Sequence, residues 1–313
     1  MAETYVHNSS SFKNAQQIYG NVSGTFREVN AAYANVGGTF KLVFSAFQAT
    51  SFVTLTSGSA TFTVPSNANA LHIQSAVGGG GGAAGGADYD KAGGESAGAG
   101  GGSGAYISDK VFAVTAGDTL TYNIGTGGAA GNQTGNFKQP RIASAGTSTT
   151  LTSAAAGSIF TLGAGGGSQG TGGGVQGPLR TNTRGAAGTA TVGTSLTSGT
   201  FRDSDGVTKN LSTLTGVPTS TFNDSGNGAQ GDLSGSGNCG GDNCRINGFD
   251  GGDSFDGNVA GGTGGSSSGA GTNGGQGTRG SGGGGGAAQV NAGSTNGGVG
   301  GDGEIVYRFI KVL

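Results

Sequence analysis

An all-β fold, a jelly-roll-like antiparallel sandwich carrying packed polyglycine II helices, is predicted by three features of this sequence. Short apolar segments with two-residue alternation recur along the chain. No stretch carries the 3.6-residue period of an amphipathic helix. Between the alternating segments lie glycine tracts, 78–104, 163–177 and 261–303, each leaving one predicted strand and returning to another.

Residues 1–47 form a separate block. "IYGNVSGTFREV" (18–29) is echoed by "AYANVGGTFKLV" (32–43) at a period of 14 residues, so that Tyr19, Val22 and Phe26 match Tyr33, Val36 and Phe40. Each copy alternates around a glycine-containing turn, which predicts a β-hairpin. A lone hairpin is marginal in water. The block is therefore either a small autonomous sheet or a docking module that completes its core on another protein, and docking is the reading we carry forward.

Residues 48–313 make the second domain. "ATFTVPSNANALHIQSAV" predicts strands at 60–64 and 70–77, with Leu71, Ile73, Ser75 and Val77 on one face. "AYISDKVFAV" (105–114) and "DTLTYNI" (118–124) follow, joined by a Thr-Ala-Gly turn, and then "SIFTL" (158–162). The last segment, "GEIVYRFIKV" (303–312), is apolar on both faces, which places it in the middle of a sheet.

Glycine occurs 74 times in 313 residues, far above the usual ~7%. Stepping in threes from Gly262 meets glycine at eight of nine positions to Gly286, with Ser268 the exception. Three residues per turn is the polyproline II period, which glycine also adopts, and a bare position every third residue permits close approach of neighbouring helices. "GGGGG" at 78–82 and 282–286 is bare all round, as an interior helix requires. Only four prolines occur, too few to stiffen a collagen triple helix. A single rod over 262–286 would extend ~78 Å, so shorter passes are expected, with breaks at Ser266–Ser268 and near Asn273. The competing reading is a set of flexible linkers.

Charged residues make up 10% of the chain and the net charge is −2, which argues against nucleic acid and anionic membrane as partners. No signal peptide opens the sequence and no apolar run approaches the ~20 residues of a membrane span, so a soluble protein made in a cytoplasm is expected. Cys239 and Cys244 are the only cysteines; a local disulfide and two free thiols both remain open. Two thiolates without a nearby histidine make a poor zinc site.

"FTVPSNANALHIQSAVGGGGGAAGG", "GGGSGAYISDKVFAVTAGDTLTYNIGTGGAAG" and "GGVGGDGEIVYRF" together resemble the glycine-rich domains of bacteriophage tail fibre and tail tip proteins, over roughly 60–177 and 261–312. "YANVGGTFKLV" is similar to short Y-V-N-V-G-G-T-W-K modules near the ends of phage tail proteins, with Phe26 and Phe40 where tryptophan is usual. These resemblances imply a virion protein of the tail. Its N-terminal piece would seat on other tail proteins through Tyr19, Val22, Phe26, Tyr33, Val36 and Phe40. Its distal domain would meet a bacterial surface glycan or outer-membrane protein. Tail fibres are often trimers, so a homotrimer and a monomeric cap on a trimeric fibre are both open.

The polar insertion 178–258 carries Phe201, Phe222, Phe249 and Phe255 among Asn, Ser and Gly. Rigid rings in adaptable polar surroundings suit a binding loop. With Asn223 and Asp250 they form the candidate receptor-binding set; the alternative is that the rings pack inward.

No catalytic residue, cofactor or metal site is predicted. "GESAG" (94–98) matches a nucleophile elbow, but both histidines, His7 and His72, precede it and no helix follows. "GGGAAG" (80–85) matches a dinucleotide fingerprint that also needs a helix. "GGVGGDGEI" is a single, imperfect copy of a calcium-binding repeat. Asp250, Asp253 and Asp256 depart from known calcium loops, and His72 on a strand reads as a surface or satisfied residue. The expected function is receptor binding by a non-enzymatic tail adhesin. A purely structural virion fibre is the second reading, and a depolymerase, lacking an acid pair, the third.

Overall fold

The computed structural model describes residues 5–8, 11–14, 19–22, 25–28, 31–36, 39–45, 47–85, 98–131, 141–170, 184–214, 245–246, 250–253, 259–266, 272–289 and 295–313, with backbone alone up to residue 45. The described residues are all-β, apart from one short 3-10 turn at Leu211–Thr213.

Three hairpins lead the chain, each a separate two-stranded antiparallel sheet: Tyr5–Asn8 with Ser11–Asn14, Tyr19–Val22 with Thr25–Glu28, and Ala31–Val36 with Thr39–Ser45. The second and third are the predicted 14-residue repeats. The first is a further copy, because Tyr5, Phe12 and Lys13 stand 14 residues before Tyr19, Phe26 and Arg27. Asn8 and Ser10 replace the Val and Gly of the later copies, which hid it from pattern matching.

The sandwich is built from nine strands: β1 (Val53–Leu55), β2 (Ser59–Thr63), β3 (Ala70–Val77), β4 (Tyr106–Ala113), β5 (Thr119–Asn123), β6 (Thr149–Ser153), β7 (Gly157–Leu162), β8 (Ala190–Val192) and β9 (Glu304–Ile310). They form two antiparallel sheets, ordered β4-β3-β9-β1 and β8-β7-β6-β5-β2. The C-terminal strand β9 is central in the first sheet, as its two apolar faces predict. Leu71, Ile73 and Ile305 from that sheet meet Leu120, Leu151 and Phe160 from the other in one buried core. Phe62 stacks on Tyr307 with centroids 4.6 Å apart. The Thr-Ala-Gly turn forms as expected, with Gly117 at φ +79°.

One face assignment is corrected. Leu71 and Ile73 point into the core, but Ser75 and Val77 do not; Ala76 takes their place. The pairing of β9 with β3 runs Val306↔Ser75 and then Tyr307↔Ile73, leaving Gln74 as a bulge. An extra residue on one strand reverses the alternation beyond it. Opposite it in β4, Asp109 adopts φ +48°, a rare conformation for a non-glycine residue.

Above the sandwich stands a glycine lattice. The pass 78–85 leaves β3, and from Gly78 to Ala84 its N–H groups turn through three neighbours in strict rotation. Gly78, Gly81 and Ala84 donate to the carbonyls of Ala105, Gly102 and Ala99; Gly79 and Gly82 to Thr147 and Ser144; Gly80 and Ala83 to Gly301 and Gly298. Its carbonyls accept in the same rotation. Gly79 and Gly82 receive Gly165 and Ser168, Gly80 and Ala83 receive Gly128 and Gly131, and Gly81 and Ala84 receive Gly283 and Gly286. Return to the same neighbour every third residue is a threefold screw, the polyproline II geometry. The neighbours that accept its N–H groups run antiparallel to it, and those that donate run parallel.

The pass 281–287 is a second interior helix. It donates to 78–85, to Gly275 and Thr272, and to Gly252, and it accepts from 98–104, 262–265 and 298–301. Both runs of five consecutive glycines are thus the interior members. The tracts are scaffolding rather than linkers wherever they are described. The 262–286 frame is divided into passes, as expected; 261–266 and 272–278 belong to separate passes, and the chain reverses at Arg279–Gly280 rather than near Asn273.

Candidate functional site

The lattice has two ends, and its hydrogen-bond register keeps them apart. Gly78, Ala105, Gly163 and Gly303 are bonded near the sandwich, each next to a strand. Buried Thr149 ties the junction: its hydroxyl donates to the Val77 carbonyl at 2.8 Å and accepts the Gly125 N–H at 2.9 Å. At the other end, Ala84 bonds Ala99, Gly85 bonds Gly131, Gly98 bonds Gly286, and Ala143 bonds Ser168. The side chains of Ser168 and Thr295 close this end, bonding to the carbonyls of Ala99 and Ala287. Seven steps of ~3.1 Å separate Gly78 from Gly85 by about 22 Å.

The described residues that flank 86–97, 132–140, 171–183, 267–271 and 290–294 all lie at the end far from the sandwich. Two short ladders, Arg141–Ile142 with Gln169–Gly170 and Arg245–Ile246 with Ala288–Gln289, adjoin the same end. Ile142 is 66% exposed there, the most exposed of the large apolar side chains described.

The opposite end of the sandwich receives the N-terminal region. The Ala49 N–H donates to the Arg202 carbonyl and the Thr50 N–H to the Phe309 carbonyl. Phe309 lies toward the end of β9 away from the lattice. The molecule thus has a polarity: the connector from the hairpins at one end of the sandwich, the far ends of the described lattice passes beyond the other.

The predicted receptor set separates on this frame. Phe201 is fully buried, packed with Ala70, Leu211 and Ile310 on the outer face of the first sheet. This corrects its assignment as a surface anchor: the ring packs inward because residues 196–214 form a cover over that face. The insertion is accordingly not one polar excursion. Its 184–188 portion joins the lattice, β8 extends the second sheet, and 196–214 seals a second small core. Asp250 is exposed, and its carboxylate accepts the Gly264 N–H at 2.6 Å. Asp253 does the same for Gly261 at 2.7 Å. Phe222, Asn223, Phe249, Phe255, Asp256, Cys239 and Cys244 lie outside the described residues.

The three-residue spacing of Asp250 and Asp253 has a physical origin. Gly261 and Gly264 are one turn apart on a threefold helix, so two carboxylates at the same spacing on the adjacent pass stand in for missing carbonyl acceptors. Thr147 and Ser144 do likewise, their hydroxyls accepting the Thr126 and Ala129 N–H groups at 2.7 Å each. Sequence reasoning missed these rim acceptors; polar side chains repeating every third residue beside glycine were the available signal.

In the hairpins, register places Tyr19 and Phe26 on one face and Val22 on the other; Tyr33 and Phe40 are likewise separated from Val36. The six proposed attachment residues are divided between two faces.

A polar cluster lies beneath the cover. Arg308 is 6% exposed, donates through Nε to His72 Nδ1 at 3.1 Å, and pairs with Asp203. His72 Nε2 lies 3.3 Å from Asp109 Oδ1, and Lys209 bonds Asp203 at 2.5 Å. Burial holds the His72 pKa below the ordinary imidazole value; Arg308 adds to this and Asp109 opposes it. Burial alone would raise the Asp203 value, but bonds from Lys209, the Ser204 N–H and Arg308 hold it at about 2. His72 is thus a satisfied histidine.

A family described as a glycine-rich domain matches residues 54–310, from β1 to the end of β9. No curated protein matches the chain.

Proposed function

The chain belongs to the glycine-rich domain family, and from that premise we propose that it is a phage tail fibre or tail tip protein that binds a host cell-surface receptor during adsorption. Polarity carries this reading. The described passes of the lattice are bonded backbone to backbone and end far from the sandwich at Gly85, Gly131, Gly170, Ser266 and Gln289, while the connector from the repeated hairpins joins the sandwich at its opposite end. A rigid frame of this kind holds loop tips in fixed relation, which lowers the ordering cost of binding. The hairpins, residues 1–47, would seat on other tail proteins, with the protein residing in the virion tail. In this reading it is not an enzyme and uses no cofactor, and its ligand is a bacterial surface glycan or outer-membrane protein.

The test adds purified protein to host cells before the phage. Competition for adsorption is expected. Ile142→Arg, which places charge on the exposed far end, should weaken competition while leaving thermal stability within about 0.5 kcal/mol of the parent. Absence of competition would favour a purely structural virion fibre, and loss of surface polysaccharide on incubation a depolymerase.

A further inference from the structure

We infer that the cover 196–214 and the connector 47–52 form an acid-releasable latch on the outer face of the first sheet, with His72 as its trigger. This goes beyond receptor binding and does not depend on it.

His72 is 2% exposed and lies where β9, β4, the cover and the connector meet. From its own sheet, β9 supplies Arg308, whose Nε–H donates to Nδ1 at 3.1 Å. On the other side, β4 supplies Asp109 at 3.3 Å from Nε2, with Lys110 beside it in sequence. The cover supplies Asp203, paired with Arg308 and Lys209, and also carries Arg202 and Asp205, the latter 3.3 Å from Lys209. The connector supplies no charge but lays the Phe52 ring against both partners, 5.5 Å from the His72 ring and 4.5 Å from the Arg308 guanidinium.

These partners settle the tautomer. Arginine only donates, so Nδ1 must accept and Nε2 carries the hydrogen, aimed at Asp109. A second proton can enter only at Nδ1. It removes the acceptor of Arg308 and sets two cations in contact at a site closed to water. Arg308 is the residue that holds Asp203, and through it the hairpin Thr200–Arg202 with Thr208–Asn210. That hairpin in turn holds the connector through the Ala49 to Arg202 bond. Opening the cover frees His72 to be solvated and protonated. Acid therefore favours the open form, and release loosens the joint where the hairpin region meets the sandwich.

The sign follows from the lowered His72 value. The open state takes up the proton more readily, so the latch is fully stable above the ordinary imidazole value near 6.5 and loses stability as pH falls toward the depressed value in the closed state. Asp203, lowered from 3.8 to about 2, adds stability that is kept above its ordinary value and lost only as pH falls below it, so a loss that begins near 6.5 belongs to His72.

Amide exchange of the full chain from pH 7 to pH 3, corrected for intrinsic rates, tests the latch. The imidazole nitrogen resonances of His72 are followed in parallel; His7 is the only other histidine. Protection of Ala49, Leu211 and Leu313 should fall by about tenfold per pH unit relative to Gly81, between the open and closed values. The onset should coincide with protonation of Nδ1. In His72→Gln, whose amide oxygen can accept from Arg308 without titrating, the dependence should vanish. The latch is overturned if protection falls while His72 stays neutral, if His72 is protonated with protection unchanged, or if His72→Gln keeps the parental dependence.

Discussion

The sandwich and the lattice order the same chain by opposite means. In the sandwich, side chains decide: Leu71, Phe160 and Ile305 are buried to 1% exposure or less, and their removal from water supplies the stabilisation. In the lattice, the absence of side chains decides. A Cβ on Gly81 would land on the Gly166 carbonyl, and one on Gly285 on the Gly98 carbonyl, below the 3.0 Å that real Cβ contacts respect. Glycine loses more backbone entropy on ordering than any other residue. The offset comes from two bonds per residue on the interior passes and from clamping at the sandwich. A core tolerates exchange of one apolar side chain for another, whereas the lattice interior has no spare volume to exchange.

Gly81→Ala breaks that contrast most severely. With backbone on every side, the cost should exceed the roughly 1–3 kcal/mol of ordinary overpacking and prevent folding. Soluble, cooperatively unfolding Gly81→Ala protein would contradict close lattice packing. Phe160→Ala, in the sandwich, should cost roughly 3–5 kcal/mol by denaturant unfolding and still leave a folded protein. Gly117→Ala separates the two reasons for glycine: nothing lies within 4 Å of its Cβ position, but φ is +79°. Its cost should be only about 1–2 kcal/mol, from backbone conformation alone. Asp250→Ala removes a rim acceptor and returns an exposed N–H to water, a loss of about 1 kcal/mol, whereas Asp250→Asn keeps an acceptor and should be milder. A large loss of adsorption in Asp250→Ala at unchanged stability would return this residue to the receptor-binding set.

Much of the fold was legible in the residues. Alternation located β3, β4, β5, β7 and β9 within a residue or so, and two-faced apolarity put β9 inside its sheet. The glycine period implied threefold helices, and the five-glycine runs implied which were interior. What escaped notice was weakly patterned or non-local. β6, "TTLTS", offers a single large apolar residue, Leu151. The Gln74 bulge leaves no mark in composition, yet it reverses half a strand. Phe201 reads equally as a surface ring or a core ring until the cover is seen folding back onto Ile310. The aspartates had a spacing but no evident purpose without the pass they serve.

Taken alone, the sequence determined which positions could enter the lattice, because only glycine and a few small residues tolerate backbone at contact distance on several sides. It also determined the helical period, which follows from the backbone itself. Tertiary structure alone decided which pass bonds which, and hence which carboxylates became rim acceptors. The physical reason is that every residue carries the same N–H and carbonyl. Partners far apart along the chain are therefore selected by register and by the sandwich that anchors them, not by the local identity of the residues that bond.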